Sequence, residues 1–327
     1  MLAFVIRRLL QASLVMLVVA FVAFSLFQYV GDPVLAMLGQ DATPEQRKEL
    51  RRDLGLDAPF YVQFGQFVSN AVRGEFGLSY RQGRKVSTLI KERMPATLEL
   101  SVAAAVLALF IGIPMGVYTA LRRRGFLSNL FLAMSLIGVS LPTFLIGILL
   151  ILLFAVVLGW LPSFGRGATV MVGGWSTGFL TVDGWQHLIL PSITLCLFQM
   201  TLIMRLVRSE MLEVLRTDYI KFARARGLTD RAVHFGHALK NTLVPVITVA
   251  GLQLGAIIAF AIITETVFQW PGMGLLFIQA VQVADIPIMA AYLCLIALVF
   301  VVINLIVDLL YFAVDPRLRM DRAGSAH

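Results

Sequence analysis

Long apolar stretches alternate with polar ones along this chain, and the alternation has the length scale of a bilayer. An α-helix needs about 20 consecutive apolar residues to cross a hydrocarbon core. Six runs qualify, at about 9–30, 98–121, 131–158, 187–207, 243–264 and 288–312. All are rich in Leu, Ala, Ile, Val and Phe. The period-2 alternation of a membrane β-strand is absent from them. In lipid the backbone must satisfy its own polar groups, which favours helices. Pro114, Pro142 and Pro191 fall within or at the ends of runs. Kinks there are tolerable where neighbouring helices re-satisfy the freed carbonyls. The pattern predicts an all-α, polytopic membrane protein with six transmembrane helices.

Composition agrees. The 327 residues are 59% hydrophobic and 14% charged, with a mean hydropathy of +0.85. A soluble domain is nearer half apolar and a quarter charged. Arg7 and Arg8 precede the first run, as in a signal peptide. That run is long for a signal's apolar region and no small-x-small cleavage site follows, so it is expected to remain as the first span. Cys196 and Cys294 each fall inside an expected span, without metal spacing, and read as small apolar fillers.

Charge orients the spans. Cytoplasmic loops carry an excess of Lys and Arg. With the N-terminus inside, the inner segments hold Arg7 and Arg8, then Arg122, Arg123 and Arg124. They also hold Arg205, Arg208, Arg216, Lys221, Arg224, Arg226, Arg231 and Lys240, and finally Arg317, Arg319 and Arg322. The two short outer loops hold only Arg166. Loop 31–97 carries the remaining ten basic residues, but loops beyond roughly 60 residues are largely exempt from the rule. Its acids, Asp32, Asp41, Glu45, Glu49, Asp53, Asp57, Glu75 and Glu92, keep its net charge small. Both termini are therefore expected in the cytoplasm. The net charge of +8 is spread along the membrane-flanking segments, so a nucleic-acid partner is not expected.

Loop 31–97 should be folded. Thr43 can cap a helix with Pro44 at its first position, Arg51 and Arg52 late and Gly55 at its end. Residues 59–72 form an amphipathic stretch with aromatics on one side, suited to lie along the membrane surface. The domains are accordingly residues 1–97, a first helix with an extracytoplasmic loop, and 98–327, a five-helix core with a cytoplasmic elbow at 208–243.

Several chemistries are missing. There is no G-x-x-x-x-G-K-[ST] phosphate loop, so hydrolysis of ATP by that route is excluded. His187, His234, His237 and His327 do not form a metal pattern with nearby carboxylates, and no nucleophile motif is present. An enzyme is not expected.

The elbow is unusual for so apolar a chain. On a 3.6-residue period, residues 210–226 place Met211, Leu215, Tyr219 and Phe222 on one face, with Arg216 and Arg224 towards another. Gly227 stands where a left-handed cap is expected. Thr229 then caps a second helix, Asp230 complements its positive end, and that helix runs through Pro245 into the fifth span. A solvated connector needs neither Tyr219 and Phe222 nor a break at fixed geometry. A partner-docking elbow fits better, with a membrane-surface helix as the rival. Arg205, Arg208, Glu210 and Glu213 could tie the elbow to the inner end of the fourth span. Polar residues inside spans are costly and default to function. Gln199, Gln253, Glu265, Asn304 and Asp308 qualify as pathway or gate candidates.

The stretch "ARARGLTDRAVHFGHALKN" resembles the cytoplasmic loop of ABC importer permeases, whose pattern is E-A-A-x3-G-x9-I-x-L-P. Ala223, Gly227 and Leu239 match it, while Lys221, Phe222, His237 and Lys240 depart. The departures fit the dipeptide/oligopeptide branch. "FVIRRLL", "GDP" at 31–33, "LGLDAPF", "GEFGLS", "PATLELS", "ILPSITL", "RSEMLEVL", "TETVFQWPGMG" and "NLIVDLLYFAVDPR" also resemble the B-type permease of that branch. The resemblance spans nearly the whole chain.

It implies a type I ABC importer permease fold in the bacterial inner membrane. The implied partners are a second, C-type permease subunit, two ATP-binding subunits that use ATP and Mg, and an extracytoplasmic solute-binding protein. The elbow would be the coupling helix, with Asp218, Tyr219, Phe222, Ala223, Arg224, Gly227, Leu239 and Asn241 as its contact and positioning residues. The rival is a secondary transporter driven by an ion gradient. That rival calls for midplane carboxylates and inverted repeats, and neither is evident.

Overall fold

The computed structural model describes residues 2–29, 34, 38, 43–53 and 57–314. Gly55, the GDP stretch at 31–33, Asp41, the basic cluster Arg317, Arg319 and Arg322, and His327 lie outside the described residues. The helices are α1 Leu2–Tyr29, α2 Pro44–Asp53, α3 Phe60–Val72, α4 Val86–Leu121, α5 Phe126–Ser140 and α6 Thr143–Leu150. They continue with α7 Val182–Val214, α8 Asp218–Ala225, α9 Leu239–Val267, α10 Met273–Gln282 and α11 Ile286–Val314. Wide π-turns at Ile151–Val157 and Ala232–Ala238 extend α6 and lead into α9. Strands β1 Val170–Val172 and β2 Trp175–Thr177 form a short hairpin.

Among the described residues five helices are long and apolar enough to cross a membrane, and six spans result if the bent α5–α6 pair counts as one. The span expected at 131–158 is present as this bent pair, broken at the Pro142 position where the sequence allowed a kink. The chain turns by 111° between Ser140 and Thr143. Pro142 is the cause: it has no N–H to donate and pushes Leu141 out of the helical region. The other spans are helical as expected but longer than their apolar runs, because each helix continues into its polar flanks.

The chain divides into two units. The first comprises residues 1–97, 172–176 and 271–302. Its core joins Val86, Leu89 and Ile90 to Met273, Leu276 and Tyr292, with Phe277 stacked on Tyr292 at 4.5 Å. The aromatic face of α3 packs on α1 rather than standing free: Phe24 meets Phe60, Phe64 and Phe67 at 5.1 to 5.7 Å. The expected start of α2 is present as a reciprocal cap. Gln46 N donates to Thr43 Oγ1 at 3.3 Å and Thr43 N donates to Gln46 Oε1 at 3.0 Å. Asp285 is buried and accepts hydrogen bonds from Ser79 Oγ at 2.5 Å and Tyr80 N at 3.3 Å, which pins the loop before α4.

The second unit comprises residues 98–171, 177–270 and 303–327. Here α7 is the central helix, packed by α5, α6 and α9. Small residues let the helices approach, as expected where no solvent drives association. A Cβ on Gly116 would lie 2.6 Å from Val207 Cβ and 2.8 Å from the Met204 carbonyl oxygen. Both contacts are shorter than real Cβ atoms tolerate, and one is backbone. Gly116→Val should therefore force α4 off α7. Detergent-solubilised protein should melt several degrees lower than wild type, and an unchanged melting temperature would contradict this packing.

A buried ion pair ties α4 to the loop that carries Arg166. Arg166 Nε donates to Glu99 Oε2 at 3.1 Å, and Gly178 N donates to Glu99 Oε1 at 3.1 Å. Glu99 is 4% exposed and Arg166 8%. Arg166 thus tethers its loop to α4.

Candidate functional site: the charged elbow

The elbow begins where α7 stops. Thr217 takes an extended backbone conformation, φ −67° and ψ 154°, and its hydroxyl donates to the Val214 carbonyl at 2.6 Å. The expected single helical face over 210–226 is corrected by this break. Met211 and Leu215 belong to α7 and its cap, while Tyr219 and Phe222 belong to α8. Met211 is fully buried and its Sδ accepts from Thr242 Oγ1 at 3.6 Å, at the foot of the elbow.

Helix α8 is short and its end is built by hydrogen bonds. Gly227 has φ +79°, in the left-handed region. Leu228 N donates to the Ala223 carbonyl at 3.3 Å, and Gly227 N donates to the Arg224 carbonyl at 2.9 Å. Those two bonds are the Schellman pair that satisfies the last carbonyls of a helix. Ala232 N then donates to Thr229 Oγ1 at 3.4 Å, so the second helix starts where the sequence places it.

The faces of α8 divide clearly. Ile220 and Ala223 are buried, and α8 packs on the turn Ala232–Ala238, which contributes buried Val233 and Ala238. Asn241 Nδ2 donates to Tyr219 Oη at 2.6 Å, bracing α8 against the start of α9. Leu239 is half-buried at that junction. Outward, Phe222 is 64% exposed, Phe235 53% and Leu228 42%. The Arg226 guanidinium lies over the Phe222 ring at 5.8 Å. Exposed Asp218 pairs with Lys221 at 2.8 Å, a contact worth about 0–1 kcal/mol at such exposure. Arg224 is exposed on the same segment. Of the expected apolar anchor, then, Phe222 faces out, Ala223 faces in, and Tyr219 is partly exposed with its hydroxyl turned to Asn241.

The proposed charge set at the inner end of α7 does not form. Among the described residues Arg205, Arg208, Glu210 and Glu213 make no ion pair, and buried Arg208 Nε has no hydrogen-bond partner. Large exposed apolar side chains rimmed by charge mark interaction surfaces. Phe235 and Leu228 were not singled out from the sequence, although both flank Gly227 within the charged insert.

The in-span polar residues separate into distinct places. Gln199 and Gln253 meet: Gln253 Nε2 donates to Gln199 Oε1 at 2.9 Å. Glu265, near the end of α9, is fully buried rather than open to an arriving solute or protein. Asn304 and Asp308 are half-buried on α11.

The family model described as the inner membrane component of binding-protein-dependent transport systems matches residues 112–320. The companion model for the N-terminal part of such components matches residues 1–101. This chain belongs to that family. The permease is 38% identical over 332 residues to the dipeptide transport system permease protein DppB of Alkalihalophilus pseudofirmus, covering 98% of this chain and 100% of that one. It is also 38% identical over 321 residues to the glutathione transport system permease protein GsiC of Escherichia coli K12, covering 98% and 99%. In fold it is similar to the MetNI methionine ABC transporter in an inward-facing form, with a TM-score of 0.55 and 20% identity over 69% of this chain and 96% of that one. The permease therefore has the type I ABC importer fold and acts in membrane transport by an ABC importer, which removes the secondary transporter as a rival.

Aromatic side chains are enriched at the cores of protein interfaces, and Phe222 is exposed on the elbow. Phe222→Ala in this permease should weaken capture of the ATP-binding subunit about tenfold in a pull-down titration. Equal capture would place the docking face elsewhere.

Proposed function

We propose that this permease forms half of the translocation pathway of an ATP-driven importer for peptides or similar small solutes. The other half is a C-type permease subunit. Two ATP-binding subunits hydrolyse ATP with Mg, and an extracytoplasmic binding protein delivers the solute. The chain spans the inner membrane with both termini in the cytoplasm. The solute class draws support from the dipeptide and glutathione systems named for its relatives.

The observation that carries the coupling role is the outward apolar face Phe222, Leu228 and Phe235 on a capped elbow. An elbow fixed by the Gly227 cap and the Tyr219–Asn241 bond moves as one piece. When the ATPase pair closes, it carries the inner ends of α7 and α9 with it. The bundles then rock about a central site to alternate access.

The test is reconstitution. The chain, co-expressed with a candidate second permease and ATP-binding subunits, should purify as one complex. In liposomes with the binding protein outside, it should accumulate alanylalanine only with ATP inside. Uptake driven by an ion gradient without ATP would overturn the reading.

A further inference from the structure

The two glutamines of α7 and α9 border a cavity of about 280 Å³ in the second unit. Its wall is otherwise almost wholly aliphatic, including Ala105 and Ala108 of α4 and Val307 of α11, and no charged residue lines it. Gln199 is 3% exposed. A side-chain amide carries two N–H donors and a carbonyl acceptor. The single bond from Gln253 Nε2 to Gln199 Oε1 uses one donor and one acceptor. Gln199 Nε2 and Gln253 Oε1 make no other hydrogen bond among the described residues. The pair thus offers one donor nitrogen and one acceptor oxygen beside an apolar cavity, and turning both amides over leaves the same set.

We propose that Gln199 and Gln253 form a neutral subsite that hydrogen-bonds the backbone of one residue of the transported solute. The inference rests on the peptide-importer reading above and adds what the pathway recognises. An extended residue points its N–H and C=O to the same side, as in the paired residues of an antiparallel ladder. Its N–H donates to Gln253 Oε1, and its C=O accepts from Gln199 Nε2. The aliphatic wall takes an uncharged side chain without reading its identity. The volume lies at the lower end of small-molecule sites, which run from about 300 to 1,000 Å³, so the cavity holds one residue and not an entire long peptide. Interhelical hydrogen bonding alone would account for the Gln253–Gln199 bond. It does not account for a cavity beside the pair, kept open by alanines.

The test uses the whole transporter in liposomes, with trialanine and its ester counterpart, in which lactate replaces the central alanine, as probes. The central residue of the ester has no N–H to offer Gln253. The wild-type ratio of amide to ester uptake should exceed that of Gln253→Leu by roughly three- to tenfold, the size of one hydrogen bond. The preference of the binding protein is common to both and cancels in the comparison. Gln253→Met, which keeps the side-chain length and loses the acceptor oxygen, provides the same comparison should Gln253→Leu fail to assemble. Gln199→Met removes the donor to the C=O that both probes carry, and should slow both alike. Ala105→Leu keeps both glutamines and narrows the cavity. It should slow trialanine uptake while the ATP-binding subunits remain bound. An amide-to-ester ratio left unchanged by the Gln253 substitutions, or full uptake by Ala105→Leu, overturns this subsite alone. Wild-type liposomes that move neither probe on ATP overturn the peptide-importer reading, and the subsite with it.

Discussion

Replacing Gly227 by valine should leave a permease that inserts and folds but no longer moves solute in step with ATP hydrolysis. The reason is local. Gly227 sits at φ +79°, and an added Cβ would meet nothing within 4 Å. The space is open, so the cost is backbone strain alone, about 1–2 kcal/mol for a side chain in the left-handed region. A β-branched residue relieves that strain by leaving the region, which breaks the two hydrogen bonds that close α8 and re-aims Phe222 and Leu228. The spans are untouched. Purified Gly227→Val complex should show lost or substoichiometric ATP-binding subunits, or ATP hydrolysis without uptake. Gly227→Asn is the control, because Asn tolerates the left-handed conformation; it should recover most of the coupling. Wild-type uptake by the valine variant would show that the cap does not set the elbow's angle.

The second large effect is expected at Glu99 of α4. Glu99→Leu removes the carboxylate that Arg166 and Gly178 N share in a buried setting. Removing one partner of a buried pair costs about 3–5 kcal/mol, because a charge stays behind in low dielectric. The variant should melt well below wild type and expose the loop around 160–180 to protease. Glu99→Leu combined with Arg166→Met should recover much of that loss, since replacing both charges by apolar groups is often neutral. Wild-type melting of the single variant would mean that the pair contributes nothing to holding the loop.

Local chemistry was legible in the sequence and long-range pairing was not. Thr43, Gly227 and Thr229 declare helix ends through bonds that reach three to five residues, so those caps were readable, although Gln46, which completes the cap at Thr43, was not singled out. The break at Thr217 was missed because a 3.6-residue period across 210–226 does not register a rotation between two short helices. A kink at Pro142 was foreseeable but its size was not, because hydropathy measures length and not direction. The hairpin had a visible signal, Gly173–Gly174 between apolar strands; both glycines have positive φ, as a type I′ turn needs. Glu99 and Arg166 stand 67 residues apart, and Gln199 and Gln253 stand 54 apart. Each glutamine was conspicuous alone as a polar residue in a span, but only the packing of α7 on α9 makes them a pair. Burial also re-sorted the elbow: Ala223 and Phe222 are adjacent in sequence and face opposite ways.

The most direct test of coupling through the elbow is a photo-crosslink from its outward face. Benzoylphenylalanine introduced at Phe222 of the assembled transporter, irradiated with and without ATP, should form an adduct with the ATP-binding subunit, in a yield that changes with nucleotide. Adducts confined to lipid or to the second permease, in a complex that still contains its ATP-binding subunits, would contradict docking through this face.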